Sequence, residues 1–107
     1  MNRKQDILNW ANEKGLLKEE NKFAQLAKLM EESGELAQAV LKGKTEAASD
    51  GIGDCFVVLV ILAGQLGLDI EECIEHAWSE IKDRKGKMIG GTFVKEIDLQ
   101  EQPIGHA

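Results

Sequence analysis

Two acidic clusters hold the residues best suited to chemistry in this chain, Glu31-Glu32-Ser33-Gly34-Glu35 and Asp50-Gly51-Ile52-Gly53-Asp54. Each lies at the border of an amphipathic pattern, where carboxylates three or four residues apart share a helix face. At about 100° per residue, Glu32 and Glu35 fall roughly 60° apart, while Glu31 and Glu35, or Asp50 and Asp54, fall roughly 40° apart. Carboxylates converging from two neighbouring helices repel one another unless a cation lies between them. Hard oxygen donors with no histidine or thiolate nearby suit Mg²⁺ or Mn²⁺. The chemistry such a site serves is phosphate chemistry.

Each cluster also has a plainer reading. A glutamate-rich helix is usually a solvated face, and Glu31-Glu32 alone would be read that way. The second cluster changes the balance, because Glu46, Asp50 and Asp54 lead into the most apolar stretch of the chain. Asp54 is therefore expected close to burial, where an aspartate is either paired with a lysine or ligates a metal. Other metal sites fit worse. An EF-hand needs a D-x-D-x-D-G rhythm with a glutamate at position twelve. A di-iron bundle needs two Glu-x-x-His motifs, and neither His76 nor His106 has a glutamate three residues before it. There is no P-loop and no nucleophile constellation, which leaves metal-assisted hydrolysis.

The elements that must position these residues are helical. Ile7, Leu8, Trp10 and Ala11 predict a helix from about Arg3 to Lys14, stopped at Gly15. A second runs from an Asn21 N-cap to about Lys42, with Phe23, Leu26, Ala27, Met30, Gly34, Ala37, Val40 and Leu41 as its apolar stripe. Gly34 in mid-helix costs about 1 kcal/mol relative to Ala, so close packing or ligand approach is expected there. The third helix, about Glu46 to Leu66, is acidic at its start and apolar almost all round from Cys55. Val57, Val58, Val60 and Ile61 would also suit a buried strand, but the long flanking pattern favours helix. Asp69 N-caps a fourth, with Ile70, Cys73, Ile74, Ala77, Trp78 and Ile81 on one face up to about Lys85. Gly86 and Gly90-Gly91 then break the pattern. The fold class is all-α, a small four-helix bundle forming one domain over 1–107, with its core at about 3–97 and a flexible, irregular tail at 98–107.

Composition sets further limits. The 107 residues are 43% hydrophobic, enough for one modest core. A net charge of −6 argues against a general nucleic-acid binder. Against that background Lys82, Arg84, Lys85 and Lys87 form a compact cationic cluster, offset only by Asp83. With Lys95 they are candidate phosphate-binding residues; the plainer reading is a helix C-terminus complemented by cations. Cys55 and Cys73 lack C-x-x-C spacing and read as buried, reduced thiols. Arg3, Lys4 and Asp6 interrupt any signal-like start. The longest apolar run, Cys55–Ala63, falls far below the ~20 residues needed to cross a bilayer. The expectation is a cytoplasmic protein with no membrane or nucleic-acid partner. A helix apolar on every face needs partners on every face, so part of Cys55–Ala63 is expected at a subunit interface.

Read together, E-E-S-G-E and D-G-I-G-D-C-F-V-V-L resemble the MazG-like branch of the all-α nucleoside triphosphate pyrophosphohydrolases, whose signature is E-E-x-x-E, a spacer and E-x-x-D. The ending I-K-D-R-K-G-K-M-I-G-G-T-F-V-K-E is similar to that of short MazG-like proteins, phage-encoded ones included. The resemblance covers about residues 20 to 97. It implies that Glu32, Glu35 and Asp54 are Mg²⁺ ligands and that Glu31 is the additional first glutamate. The first acid of E-x-x-D falls on Gly51; Asp50, one residue earlier, shares a helix face with Asp54 and is the candidate replacement. The resemblance also implies hydrolysis between the α- and β-phosphates of a nucleoside triphosphate, giving monophosphate and pyrophosphate, in a homodimer or homotetramer. Within that chemistry Glu31 or Glu35 is the candidate group to orient or deprotonate water. The alternative is a non-catalytic helical oligomer that binds or senses nucleotides through a metal site weakened at Gly51. Trp10 and Trp78 are stacking candidates, although both lie on apolar stripes and read more readily as core.

Overall fold

The computed structural model describes residues 2–100 and divides them into two compact units, with the boundary after Cys73. The first unit holds α1 (Arg3–Glu13), a 3-10 turn (Glu19–Asn21), α2 (Lys22–Leu41), α3 (Thr45–Gln65) and the start of α4 (Ile70–Ile81). The second holds the rest of α4, the strands β1 (Gly86–Ile89) and β2 (Thr92–Lys95), and α5 (Glu96–Gln100). The architecture is predominantly helical, as the apolar periodicity predicts.

The helix boundaries follow local chemistry. Gly43 takes φ +68°, which frees Lys44 N–H to reach back to the Ala39 carbonyl at 2.9 Å and close α2 in a Schellman turn. Gly15 and Gly67 end α1 and α3 in the same manner. Asp69 caps α4 as expected, its Oδ1 accepting from Glu71 N–H at 2.9 Å. That bond, followed by hydrogen bonding and charge from Lys4, outweighs partial desolvation and holds the Asp69 carboxyl below its ordinary range. Partial burial would lower the Lys4 pKa, but hydrogen bonds to Asp69 and Glu71 prevail and raise it. Asn21 stands at the N-cap of α2, yet its side chain makes no capping bond.

The ambiguous run Val57–Ile61 is helical and forms the middle of the core. Val58, Val60, Ile61 and Ala63 are buried, along with Ala11 of α1. On one side Leu8 and Leu17 press within 3.3 Å of where a Cβ on Gly64 would stand. On the other, a Cβ on Gly51 would lie 3.1 Å from Leu36 Cδ1 and 3.3 Å from Leu36 Cα. Gly51 therefore sets how closely α2 and α3 approach. By length and composition α3 could cross a membrane; here its apolar residues serve as the core between α1 and α2.

Several expectations need correction. Gly34 is exposed with no neighbour close to its Cβ position, so close packing belongs to Gly51 instead. Helix α4 stops at Ile81 rather than Lys85, because the chain turns into a hairpin that Gly90 and Gly91, at φ +57° and +82°, allow in its two-residue loop. Gly86 is required there too, since a side chain would collide with the Val94 carbonyl and the Phe93 ring. The expected irregular tail is helical over Asp98–Gln100, within α5, and its remainder, 101–107, lies outside the described residues. Cys73 is exposed and Cys55 half-buried, so neither is a core thiol.

Candidate active site

The acidic residues are positioned by the α2–α3 pair. Gln25 Nε2 donates to the Val58 carbonyl at 3.3 Å, while Leu36 meets Gly51, so the two helices run antiparallel. Leu36 and Gly51 mark the facing directions. At about 100° per residue, Glu32 lies about 40° and Glu35 about 100° to one side of Leu36; Asp54 lies about 60° and Asp50 about 100° to one side of Gly51. Because the helices are antiparallel, these rotations of equal sense carry all four carboxylates to the same edge of the seam. Glu31, about 140° from Leu36, stands on the outer shoulder of that edge.

Of the five, Glu32 reaches deepest, its side chain 12% exposed. Lys28, one turn earlier, holds it at 3.3 Å and also reaches Glu31 at 3.4 Å. Hydrogen bonding to Glu32, then the charge of Glu31, raises the Lys28 pKa above its ordinary value. Both pairs lie within α2, three and four residues apart, the spacing at which helix side chains meet. Lys28 escaped the sequence reading, although its spacing four residues before Glu32 is the signal for such a pair.

Asp54 departs from expectation, because it is exposed rather than near burial. The apolar run that follows it packs against α1 and α2, whereas Ile52, Gly53 and Asp54 are exposed. Among the described residues, no three His, Cys, Asp or Glu side chains converge closely enough to hold a metal ion. The four carboxylates share an edge without closing on one point. The donor set still suits Mg²⁺ in kind, being all oxygen and contributed by both helices. A Cβ at Gly51 would lie 3.1–3.3 Å from Leu36, so a side chain there needs Leu36 to yield by a few tenths of an ångström.

The cationic candidates belong to the second unit. Lys82 and Arg84 follow α4, with their N–H groups bonded to the Trp78 and Ile81 carbonyls. In the hairpin Lys87 pairs with Val94 and Gly86 with Lys95, so strand alternation sends Lys87 and Lys95 to opposite faces. Lys85 and Lys87 line a shallow depression with Glu96 and Leu99. The five cations therefore do not form one cradle.

The first unit also contains a cleft of about 530 Å³ that the sequence did not announce. Trp10, Leu16, Asn21, Gln25, Lys28 and Gln65 are among its lining residues, and Lys28 joins it to the acidic edge. Trp10, expected in the core, is 50% exposed. Gln65 is 4% exposed; its Nε2 donates to the Leu16 carbonyl at 2.7 Å, and its Oε1 has no partner among the described residues. A buried acceptor left so costs about 1–3 kcal/mol.

Residues 20–89 match the MazG nucleotide pyrophosphohydrolase domain. The chain is also 47% identical over 64 residues to an uncharacterized 18.2 kDa protein from the rep-hol intergenic region of Haemophilus phage HP1 (strain HP1c1). That match covers 60% of this chain and only 39% of the phage protein. No solved structure matches the chain. The domain match spans both acidic clusters and the helices that carry them, and with it the chain belongs to the MazG nucleotide pyrophosphohydrolase family.

Proposed function

We propose that the protein hydrolyses nucleoside triphosphates between the α- and β-phosphates, releasing monophosphate and pyrophosphate, with Mg²⁺ or Mn²⁺ on the acidic edge of the α2–α3 pair. The observation that carries this reading is the grouping of Glu32, Glu35, Asp50 and Asp54 along one edge, where Lys28 already rests against Glu31 and Glu32. Glu32, Asp50 and Asp54 would hold the metal, together with Glu35. Bound there, Mg²⁺ supplies charge neutralisation for the phosphates and acidifies water. Glu31 or Glu35, whichever carboxylate is left uncoordinated, orients the attacking water and accepts its proton. Lys82, Arg84, Lys85, Lys87 and Lys95 are the candidate cations for binding phosphate.

The opposite edge of the same helices supports an assembly. Leu26, Met30 and Phe23 on α2, and Leu59, Ile52 and Phe56 on α3, rotate about 80–140° in the other sense and leave a continuous apolar strip. Phe23 is 73% exposed in the single chain. Burying a residue of this size contributes about 1.5–3 kcal/mol, so a second copy is the natural cover, as a homodimer or a dimer of dimers. We place the protein in the cytoplasm, with a nucleotide rather than a nucleic-acid polymer or a membrane as its partner.

A second reading, nucleotide binding without turnover, is favoured by two observations: position 51 carries no acid, and among the described residues the carboxylates do not converge on one point. Incubation with canonical and altered (d)NTPs and Mg²⁺ separates the two. The enzyme yields equal amounts of monophosphate and pyrophosphate from at least one of them. Measurable binding with no turnover of any would favour the sensor.

A further inference from the structure

We propose that α4 is a docking surface for a second copy of this chain, and that the two α4 helices pair antiparallel about a two-fold axis through the face formed by Ile70, Ile74, Ala77 and Ile81. The proposal stands on the composition and exposure of α4 and does not depend on the hydrolytic reading.

The face is apolar and lies open. Over Ile70–Ile81 the apolar residues recur at helical spacing, and no residue of the helix is buried. Ile74, Trp78 and Ile81 are each about half exposed, and Cys73 and Ala77 are exposed beside them. A continuous apolar stripe of this kind marks a surface that another molecule covers.

Two features select a reversed copy of the same helix as that partner. The first is spacing. Ile70, Ile74, Ala77 and Ile81 follow one another at intervals of four, three and four residues, a pattern that reads the same from either end. Laid antiparallel, Ile70 stands opposite the partner's Ile81 and Ile74 opposite the partner's Ala77, in layers like those of a coiled coil. The second is charge. The first half of the helix carries Glu71, Glu72 and Glu75 with no cation among them, whereas Lys82, Arg84, Lys85 and Lys87 follow its end. Lys82 continues the helical path, its N–H bonded to the Trp78 carbonyl at 2.9 Å. A parallel pair sets acid against acid along the first half. Reversal instead brings the basic end of each copy beside the acidic start of the other. On one flank Glu71, whose Oε2 also meets Lys4 at 3.4 Å, approaches the partner's Lys82. On the other flank Cys73 faces the partner's Glu80. The contact is closed and self-complementary, and it uses no residue of the apolar strip on α2 and α3.

Disulfide cross-linking of the full chain with diamide tests the pairing. Cys55→Ser leaves Cys73 as the one cysteine. Adding Glu80→Cys puts a second thiol on the same exposed flank, about 10 Å along the helix and too far to join Cys73 of its own chain. The expected result for Cys55→Ser/Glu80→Cys is a shift from 11.8 kDa to twice that mass on a non-reducing gel, with peptide mapping that joins Cys73 to position 80 of the other copy. Cys55→Ser alone should stay unlinked, because reversal holds the two Cys73 thiols apart. Adding Ile74→Asp should remove the cross-link, and adding Phe56→Asp should leave it in place. A double variant that stays at the mass of one chain overturns the proposal; if a foreign protein then co-purifies with the wild type and is lost with Ile74→Asp, the face has a different occupant. An equally strong cross-link in Cys55→Ser alone overturns it in favour of a parallel pair. Persistence with Ile74→Asp would mark random collision, and loss with Phe56→Asp would assign the contact to the α2–α3 strip; either result overturns the pairing.

Discussion

The two edges of the α2–α3 pair are built from the same helices and the same close approach at Gly51, yet they differ in almost every side chain. One presents Glu32, Glu35, Asp50 and Asp54; the other presents Phe23, Met30, Ile52 and Phe56. Glu35, Asp50 and Asp54 on the first edge and all four apolar residues on the second are exposed. The helical period alone separates them, because residues three or four apart stay on one side while those two apart cross over. The contrast teaches that a very small core can support two unrelated surfaces, provided the seam between the helices is fixed. Here Gly51 fixes it, with Leu36 3.1–3.3 Å from its Cβ position.

The largest expected effect comes from breaking the acidic edge. Asp54→Asn and Glu35→Gln should each abolish turnover while far-UV circular dichroism keeps its helical form. Partners one layer beyond a metal ligand commonly cost about 10–100-fold, so a ligand itself should cost at least as much. Near wild-type kcat at saturating Mg²⁺ would remove that residue from the site. Asp50→Asn sharpens the point. A comparable loss identifies Asp50 as the replacement for the acid absent at Gly51, and a mild loss indicates a site with fewer ligands.

The next effect breaks the apolar edge. Phe56→Asp, or Met30→Asp, should convert the assembly to a species near 11.8 kDa in light scattering. A wild-type mass already at that value would refute the role given to this edge. A wild-type assembly that survives high salt would agree with it, since screening weakens ion pairs and leaves apolar contacts in place.

Gly51→Glu probes the seam shared by both edges. It places an acid at the first position of E-x-x-D but crowds Leu36, whose atoms lie 3.1–3.3 Å from the new Cβ, and overpacking of this kind costs about 1–3 kcal/mol. The urea midpoint should fall with the slope unchanged. A variant as stable as the wild type would show that the seam can widen freely.

These contrasts show what the sequence made legible. That the carboxylates lie on two helices and share helix faces was readable from their spacing of three and four residues. The helix ends at Gly15, Gly43 and Gly67 were readable because a left-handed terminus favours glycine. The exposure of Asp54 was not, because the sequence gives the apolarity of α3 without saying which of its turns a neighbour covers. The cleft was hidden for a related reason: Trp10, Gln25 and Gln65 come from three helices, and no local pattern links them. The hairpin was only half visible, since Thr92-Phe93-Val94 signals a strand but Gly86–Ile89 carries almost no strand signal of its own.

The smallest effect concerns the far end of the first unit. Asp69 has a lowered pKa, so its contribution to stability is fully present above the ordinary carboxylate value of about 4 and fades as pH falls through its lower folded value. Asp69→Asn should therefore narrow the stability gap to the wild type on acidification, as followed by thermal melts. A gap that stays constant down to strongly acidic pH would contradict the assigned pairing.

The central claim, that the acidic edge hydrolyses a nucleoside triphosphate between the α- and β-phosphates, is tested most directly by phosphorus NMR of the reaction. Wild type and Asp54→Asn are run side by side with the best nucleotide, with Mg²⁺ and again with chelator. The account predicts monophosphate and pyrophosphate in equal amounts from the wild type with Mg²⁺ only, and intact triphosphate in the other three samples. Release of orthophosphate in place of pyrophosphate, or equal turnover by Asp54→Asn, would contradict it.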